Sequence, residues 1–342
     1  MQNKSTNYGA VVNHSNFDDI VIPCIQGGLA VHIWGPPAVG KSARVYALAD
    51  LIDHDVIEVR LAQMDALDSR GIPFKGEDGM THYAAPSWLP AADCGPTILF
   101  FDEWSQAHPT VQNPMSQLVF ERVLGDYQLP DNVVVVLASN RASDRAGANK
   151  MMSNIASRLV HVELVPEVAQ WIDWARDNDL DQRVVDFVNF RRDYFYKFDP
   201  KSTEMAYPCL RSWEMLSKAI SNTSDINVVH AIALGLVGQE AGHEFRIFCE
   251  CLNDLPSIDA IIADPDSVEV PQKIDMQFAV SAALSRAADA TNVDNVWKFV
   301  SRLNREYSSI WLSDTSKRSD FNLSECPVFH SIANAHKNNL AA

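Results

Sequence analysis

Gly35-Pro36-Pro37-Ala38-Val39-Gly40-Lys41-Ser42 satisfies the pattern G-x-x-x-x-G-K-[ST] in full. The apolar run Leu29 to Trp34 precedes it, and the helix-like stretch Ser42 to Ile52 follows. Strand before and helix after are the context in which this pattern binds phosphate. The two glycines let successive backbone N–H groups curl around an anion, and the helix that follows points its positive end at the same place. Gly35 through Ser42, with Ala43 in the first helical turn, are therefore the expected cradle for a nucleoside triphosphate. Lys41 would reach the β- and γ-oxygens, and the Ser42 hydroxyl would ligate Mg²⁺.

Working outward, Thr97-Ile-Leu-Phe-Phe-Asp102 is an apolar run ending in the adjacent carboxylates Asp102 and Glu103. Taken alone, such a pair fits a solvated strand end. Downstream of a phosphate loop it reads as a Walker B strand, with Asp102 beside Ser42 on Mg²⁺ and Glu103 polarising the attacking water. A third run, Val133 to Ser139, ends in Asn140, where an amide can sense the γ-phosphate; the alternative is a strand-terminating turn residue.

Near-continuous apolar segments at 29–34, 56–61, 97–102, 132–138 and 160–164, with helices at 41–52 and 111–123 among those between, predict an α/β fold. Its core is a five-stranded parallel sheet buried on both faces. Ligand is expected at the carboxyl ends of the strands. After Pro166 the pattern turns helical, with segments at 167–178, 181–197, 210–220, 226–237 and 240–252. Trp171 and Trp174 share a face of the first, which assigns both to the core. A Pro/Asp break at Ala263–Asp266 leads to helices at 275–289 and 293–307, and from Ser313 the periodicity fades. The expected division is a nucleotide-binding core at 1–166, a helical lid at 167–262 and a helical extension at 263–342.

The chain has 342 residues, 47% hydrophobic and 21% charged, which suits a globular protein with a sizeable core. Its formal charge of −16 disfavours a broad nucleic-acid-binding surface. No apolar stretch approaches membrane-spanning length, and the first ten residues lack a signal-peptide core, so a cytoplasmic location is expected. The six cysteines, at 24, 94, 209, 249, 251 and 326, have no paired zinc spacing.

The loop GPPAVGKS, the segment ILFFDEW, the ASN at 138–140 and NIASRLVHVEL at 154–164 together resemble an AAA+ ATPase of the MoxR group, across most of the chain. The segment LAQMDALDSRGIP at 61–73, with YAAPSWLP at 83–90, is similar to the insert of these ATPases around their second core helix, and RVLGDYQLPDN at 122–132 to their hairpin before the fourth strand. The resemblance implies a ring, commonly hexameric, that hydrolyses ATP with Mg²⁺ at subunit interfaces. It places Arg158 at the arginine-finger position, with Arg141 and Arg145 as alternatives, and Arg211 at the sensor 2 position. It implies a chaperone-like remodeller whose client is a separate protein, often one carrying a von Willebrand factor A domain. In the insert, Met64, Asp65, Asp68, Arg70 and Phe74 are either client contacts or residues packed over the core. Two other readings stand beside this one. One is a motor acting on nucleic acid, which the sparse Lys and Arg of the insert disfavour; the other is a nucleotide-gated scaffold with little turnover, which intact Lys41, Asp102 and Glu103 disfavour.

Overall fold

Apolar side chains on strands buried from both sides build the core of the first half of the chain. In the structure, a computed structural model that describes residues 8–144, 151, 153–329 and 332, six strands form one parallel sheet: β1 (Ala10–Val12), β2 (Val31–Trp34), β3 (Asp55–Arg60), β6 (Thr97–Asp102), β9 (Val133–Ser139) and β10 (Val160–Leu164). Their order is β1-β10-β2-β9-β6-β3. The two other strand pairs are antiparallel hairpins, β4 (Ile72–Lys75) with β5 (Thr81–Ala84), and β7 (Val123–Leu124) with β8 (Tyr127–Gln128).

Period-two alternation divides the core into two layers. Ile98 and Phe100 of β6, Val136 and Ala138 of β9, and Val31 and Ile33 of β2 pack with Phe17, Val21 and Ile25 of α1 (Phe17–Gln26) and Val45 and Leu48 of α2 (Lys41–Leu51). On the opposite face, Leu99, Phe101, Val135 and Leu137 pack with Met115 and Leu118 of α4 (Pro109–Glu121). A sheet covered on both faces needs apolar residues at nearly every position. This is why the sequence runs read as continuous rather than alternating.

The sheet has six strands where the sequence predicts five. The extra one, β1, is three residues long and pairs with β10 at the edge, Ala10 opposite Val162 and Val12 opposite Leu164. Between β3 and β4 lies the short helix α3 (Ala66–Arg70), whose N-terminus is closed by a capping box. The Asp65 carboxylate accepts from Leu67 and Asp68 N–H, and Asp68 accepts from Asp65 N–H.

The chain separates into two compact units, Met1–Asp173 with Phe195–Ser212, and Trp174–Tyr194 with Trp213–Ala342. The second is helical, with α7 (Gln182–Phe190), α9 (Ile226–Val237), α10 (Gln239–Asn253), α11 (Ile258–Ala263), α12 (Ile274–Ala287), α13 (Val293–Val300) and α14 (Arg305–Ser316). Two further helices, α6 (Val168–Asp177) and α8 (Leu210–Ile220), cross the unit boundaries. An aromatic cluster forms the second unit's centre, with Phe187 within 5.3 to 5.6 Å of Phe245, Trp213 and Phe248. Three sequence expectations need correction here. Helix 181–197 stops at Phe190 and continues only as a short 3₁₀ turn; segment 293–307 is two helices, broken between Val300 and Arg305; and Trp174 is 42% exposed whereas Trp171 is buried. Spacing of three places two side chains within about 60° of each other around a helix, and the edge of the buried stripe falls between them.

Candidate functional site

Three neighbouring strands deliver the candidate residues to one place. In the sheet β2 lies beside β9 and β9 beside β6, all parallel, so the phosphate loop after β2, Asn140 after β9 and Asp102 at the end of β6 emerge side by side. The loop is shaped by its glycines. A Cβ on Gly35 would lie 2.8 Å from the Leu164 carbonyl oxygen, and Gly40, with φ of 92°, is left-handed as it starts α2. Ala38 also has positive φ, 57°.

Lys41 Nζ donates to the Gly35 and Pro36 carbonyls, both at 3.0 Å, and to Asn140 Oδ1 at 2.7 Å. The ammonium thus has three neutral oxygen partners and, among the described residues, no carboxylate in contact. Burial pushes its pKa down from the usual 10.5 to about 8, against the opposing pull of Asp102 and Asp144. A buried cation held only by dipoles has unmet attraction for an anion. One step along the helix, the Ser42 hydroxyl donates to Asp102 Oδ2 at 2.8 Å. Asp102 Oδ1 accepts from the Glu103 N–H at 2.8 Å. Glu103 itself is in the left-handed region, φ 56°. Such strain in a non-glycine residue is concentrated at functional sites.

Other parts of the chain brace the loop. His14 Nε2 lies 3.1 Å from the Val39 carbonyl oxygen, and the Tyr196 hydroxyl donates to the Pro37 carbonyl at 2.6 Å. Desolvation lowers the His14 pKa and raises that of Tyr196, favouring the neutral form of each. Arg211, exposed in the first turn of α8, is near enough for its charge to contribute to the lowered pKa of Lys41. No sequence motif marks His14 or Tyr196; one precedes the loop by some twenty residues and the other follows it by 159.

The three candidate finger arginines differ. Arg141 is occupied within its own chain, forming ion pairs with Asp144 at 2.9 Å and Glu163 at 3.0 Å. Arg158 is exposed just beyond α5 (Ser153–Ala156), its guanidinium 5.3 Å from the Phe120 ring centroid, with no carboxylate partner among the described residues. Arg145 lies outside the described residues. In the insert, Asp65 and Asp68 are spent on the α3 cap and Met64 packs against the core, whereas Phe74 is 52% exposed.

Residues 31–163 match the profile of the ATPase family associated with various cellular activities (AAA). That span is an AAA ATPase family domain, and its P-loop fold is the one the sheet and loop define. Midasin of Giardia intestinalis is 26% identical over 165 residues, covering 45% of this chain and 3% of that protein. The chain thus spans a small fraction of its curated relative. Among solved structures, RuvB of Thermotoga maritima, a Holliday junction branch migration motor, is similar with a TM-score of 0.42 at 13% identity, over 79% of this chain and 80% of that one. A presumed ATPase of Cytophaga hutchinsonii has a TM-score of 0.36 at 16% identity, over 66% of this chain and 64% of that one. Among the described residues no helix is long and apolar enough to cross a membrane, and all six cysteines are free thiols.

Proposed function

We propose that this chain hydrolyses ATP in a MoxR-like ring and spends the resulting conformational change on a protein client. The observation that carries the reading is the meeting of Lys41, Ser42, Asp102 and Asn140 at adjoining strand ends, with Lys41 3.0 Å or less from three neutral acceptors and Ser42 2.8 Å from Asp102. Loop N–H groups and Lys41 bind the phosphates of ATP. Asn140 orients Lys41 and senses the γ-phosphate, and Glu103 positions the attacking water. Arg158 of a neighbouring subunit offsets charge that develops on the transferring phosphoryl group, and Arg211 contributes positive charge from the chain's own side. The hard oxygen donors Ser42 and Asp102 suit Mg²⁺; when bound, it would neutralise phosphate charge.

The helical residues, read as a lid at 167–262 and an extension at 263–342, are the parts whose movement would transmit nucleotide state to the client, a separate protein such as one with a von Willebrand factor A domain. The net charge of −16 supports a protein client over nucleic acid. A cytoplasmic, hexameric assembly is part of the same reading.

Three substitutions test it by phosphate release and nucleotide retention. Lys41→Ala should abolish nucleotide binding, Glu103→Gln should hold ATP without turnover, and Arg158→Ala should bind normally while losing roughly 10³-fold or more in rate. Normal turnover by Arg158→Ala would remove the finger assignment; normal turnover by Glu103→Gln would remove the hydrolytic site.

A further inference from the structure

One face of the sheet carries a polar and aromatic chain that the hydrolytic reading does not use. On β2 the inward positions Val31 and Ile33 are apolar, but His32 and Trp34 occupy the other face, and His161 of β10 pairs with His32 in register. Trp34 Nε1 donates to His161 Nδ1 at 3.0 Å, and His161 Nε2 lies 2.8 Å from the Ala156 carbonyl oxygen. Because an indole N–H is donor only, His161 must accept at Nδ1, which leaves the proton on Nε2 to be donated to Ala156. Trp34 stacks on His32 at 4.1 Å. His32 Nε2 in turn lies 2.8 Å from Ser139 Oγ, which accepts from the Ser105 N–H at 3.1 Å.

The ends of this chain matter. Ser139 adjoins Asn140 and Ser105 lies two residues after Glu103, Trp34 immediately precedes the phosphate loop, and Ala156 ends the helical turn two residues before Arg158. His32 is fully buried, is held neutral by desolvation, and has no partner for Nδ1 among the described residues. A buried, partly unsatisfied polar contact is costly in a layer that apolar residues would otherwise fill. Core packing alone gives no reason for it, whereas a fixed geometry between pocket and finger segment does.

We infer that His161 is a positioning residue: it ties the α5 turn, and hence Arg158, to the strand that carries the phosphate loop, so that a subunit presents its finger in register with its own pocket. This rests on the reading of Arg158 as a finger acting on a neighbouring subunit. His161 touches no nucleotide in this account and acts through Arg158 alone.

The test separates the subunit that gives a finger from the one that uses it. Arg158→Ala protein, with an intact pocket and no finger, is mixed with Lys41→Ala protein, which has a finger and a dead pocket; phosphate release by the mixture then reports only fingers donated in trans. Adding His161→Phe to the Lys41→Ala donor should lower that release at least tenfold, with KM for ATP unchanged because the working pockets belong to the other variant. His161→Gln, which keeps an N–H donor in the place of Nε2, should restore most of it. The donors' masses and circular dichroism should match, so that loss of fold is seen directly. If the His161→Phe donor is as effective as its parent, or is misfolded and Gln at 161 also fails to restore release, the positioning role is overturned while the finger stands. If the unmodified donor gives no release above the separate proteins, the trans finger itself is wrong and the inference falls with it.

Discussion

At the scale of single residues, Lys41 carries the clearest electrostatic signature. Its ammonium titrates at about 8 in the folded protein against 10.5 in an unfolded chain. The unfolded state therefore binds more protons between those values, and this residue's contribution makes stability rise with pH through that window. A bound triphosphate supplies the missing counter-charge and raises the pKa again. Nucleotide binding near pH 8 should accordingly take up a fraction of a proton, and affinity should fall as pH rises through about 8. Calorimetry in buffers of different ionisation enthalpy measures both; pH-independent affinity with no proton uptake would contradict it. Gly35→Ala should abolish binding or folding, because its Cβ would meet the Leu164 backbone oxygen at 2.8 Å. The phosphate-loop pattern marks Lys41 and Ser42 in the sequence, whereas Asp102, Glu103 and Asn140 are marked by ending or following apolar strand runs. His14 and Tyr196 were not legible there, since only tertiary structure brings them to the loop. Tyr196→Phe should weaken nucleotide binding by a factor of a few to about ten, the worth of one neutral hydrogen bond, as measured by titration.

At the scale of elements, the central strands and the phosphate-loop helix were readable because burial on both faces forces continuous apolar runs. Strand β1 was not, since three residues at a sheet edge carry too little periodicity and take their conformation from pairing with β10. The insert shows a different limit: Asp65 and Asp68 invite a functional reading by charge, yet their carboxylates close the N-terminus of α3. Its hairpin is fastened to the β7–β8 turn by His82, which contacts Asp78 at 2.9 Å and Asp126 at 3.0 Å. Hydrogen bonds to Asp78 and then Asp126 raise the His82 pKa. The stabilising contact is therefore present at low pH and lost as pH rises through the raised value. An NMR titration should place His82 above 6.5, and Asp126→Asn should lower it; an unchanged value in the variant would sever the link between the hairpins. In the core, Phe101→Ala should cost about 3–5 kcal/mol by denaturant unfolding, since Phe101 is fully buried between β3, β9 and α4.

At the scale of the whole molecule, the fold class was legible from the alternation of strands and helices in the first half, but not its full organisation. Residues 195–212 return to the nucleotide-binding unit from within the helical half, a crossing that no composition shift announces. It brings Tyr196 and Arg211 to the phosphate loop. An assembly that places one subunit's Arg158 at the next subunit's γ-phosphate should be strengthened by nucleotide, because each interface then gains an opposed charge pair. The most direct measurement is the solution mass of Glu103→Gln protein with and without Mg-ATP, together with the nucleotide recovered from it. A closed multi-subunit ring, formed or stabilised by ATP and holding ATP unhydrolysed, is the expected result. A monomer in every nucleotide state, or recovery of ADP at the wild-type rate, would contradict it.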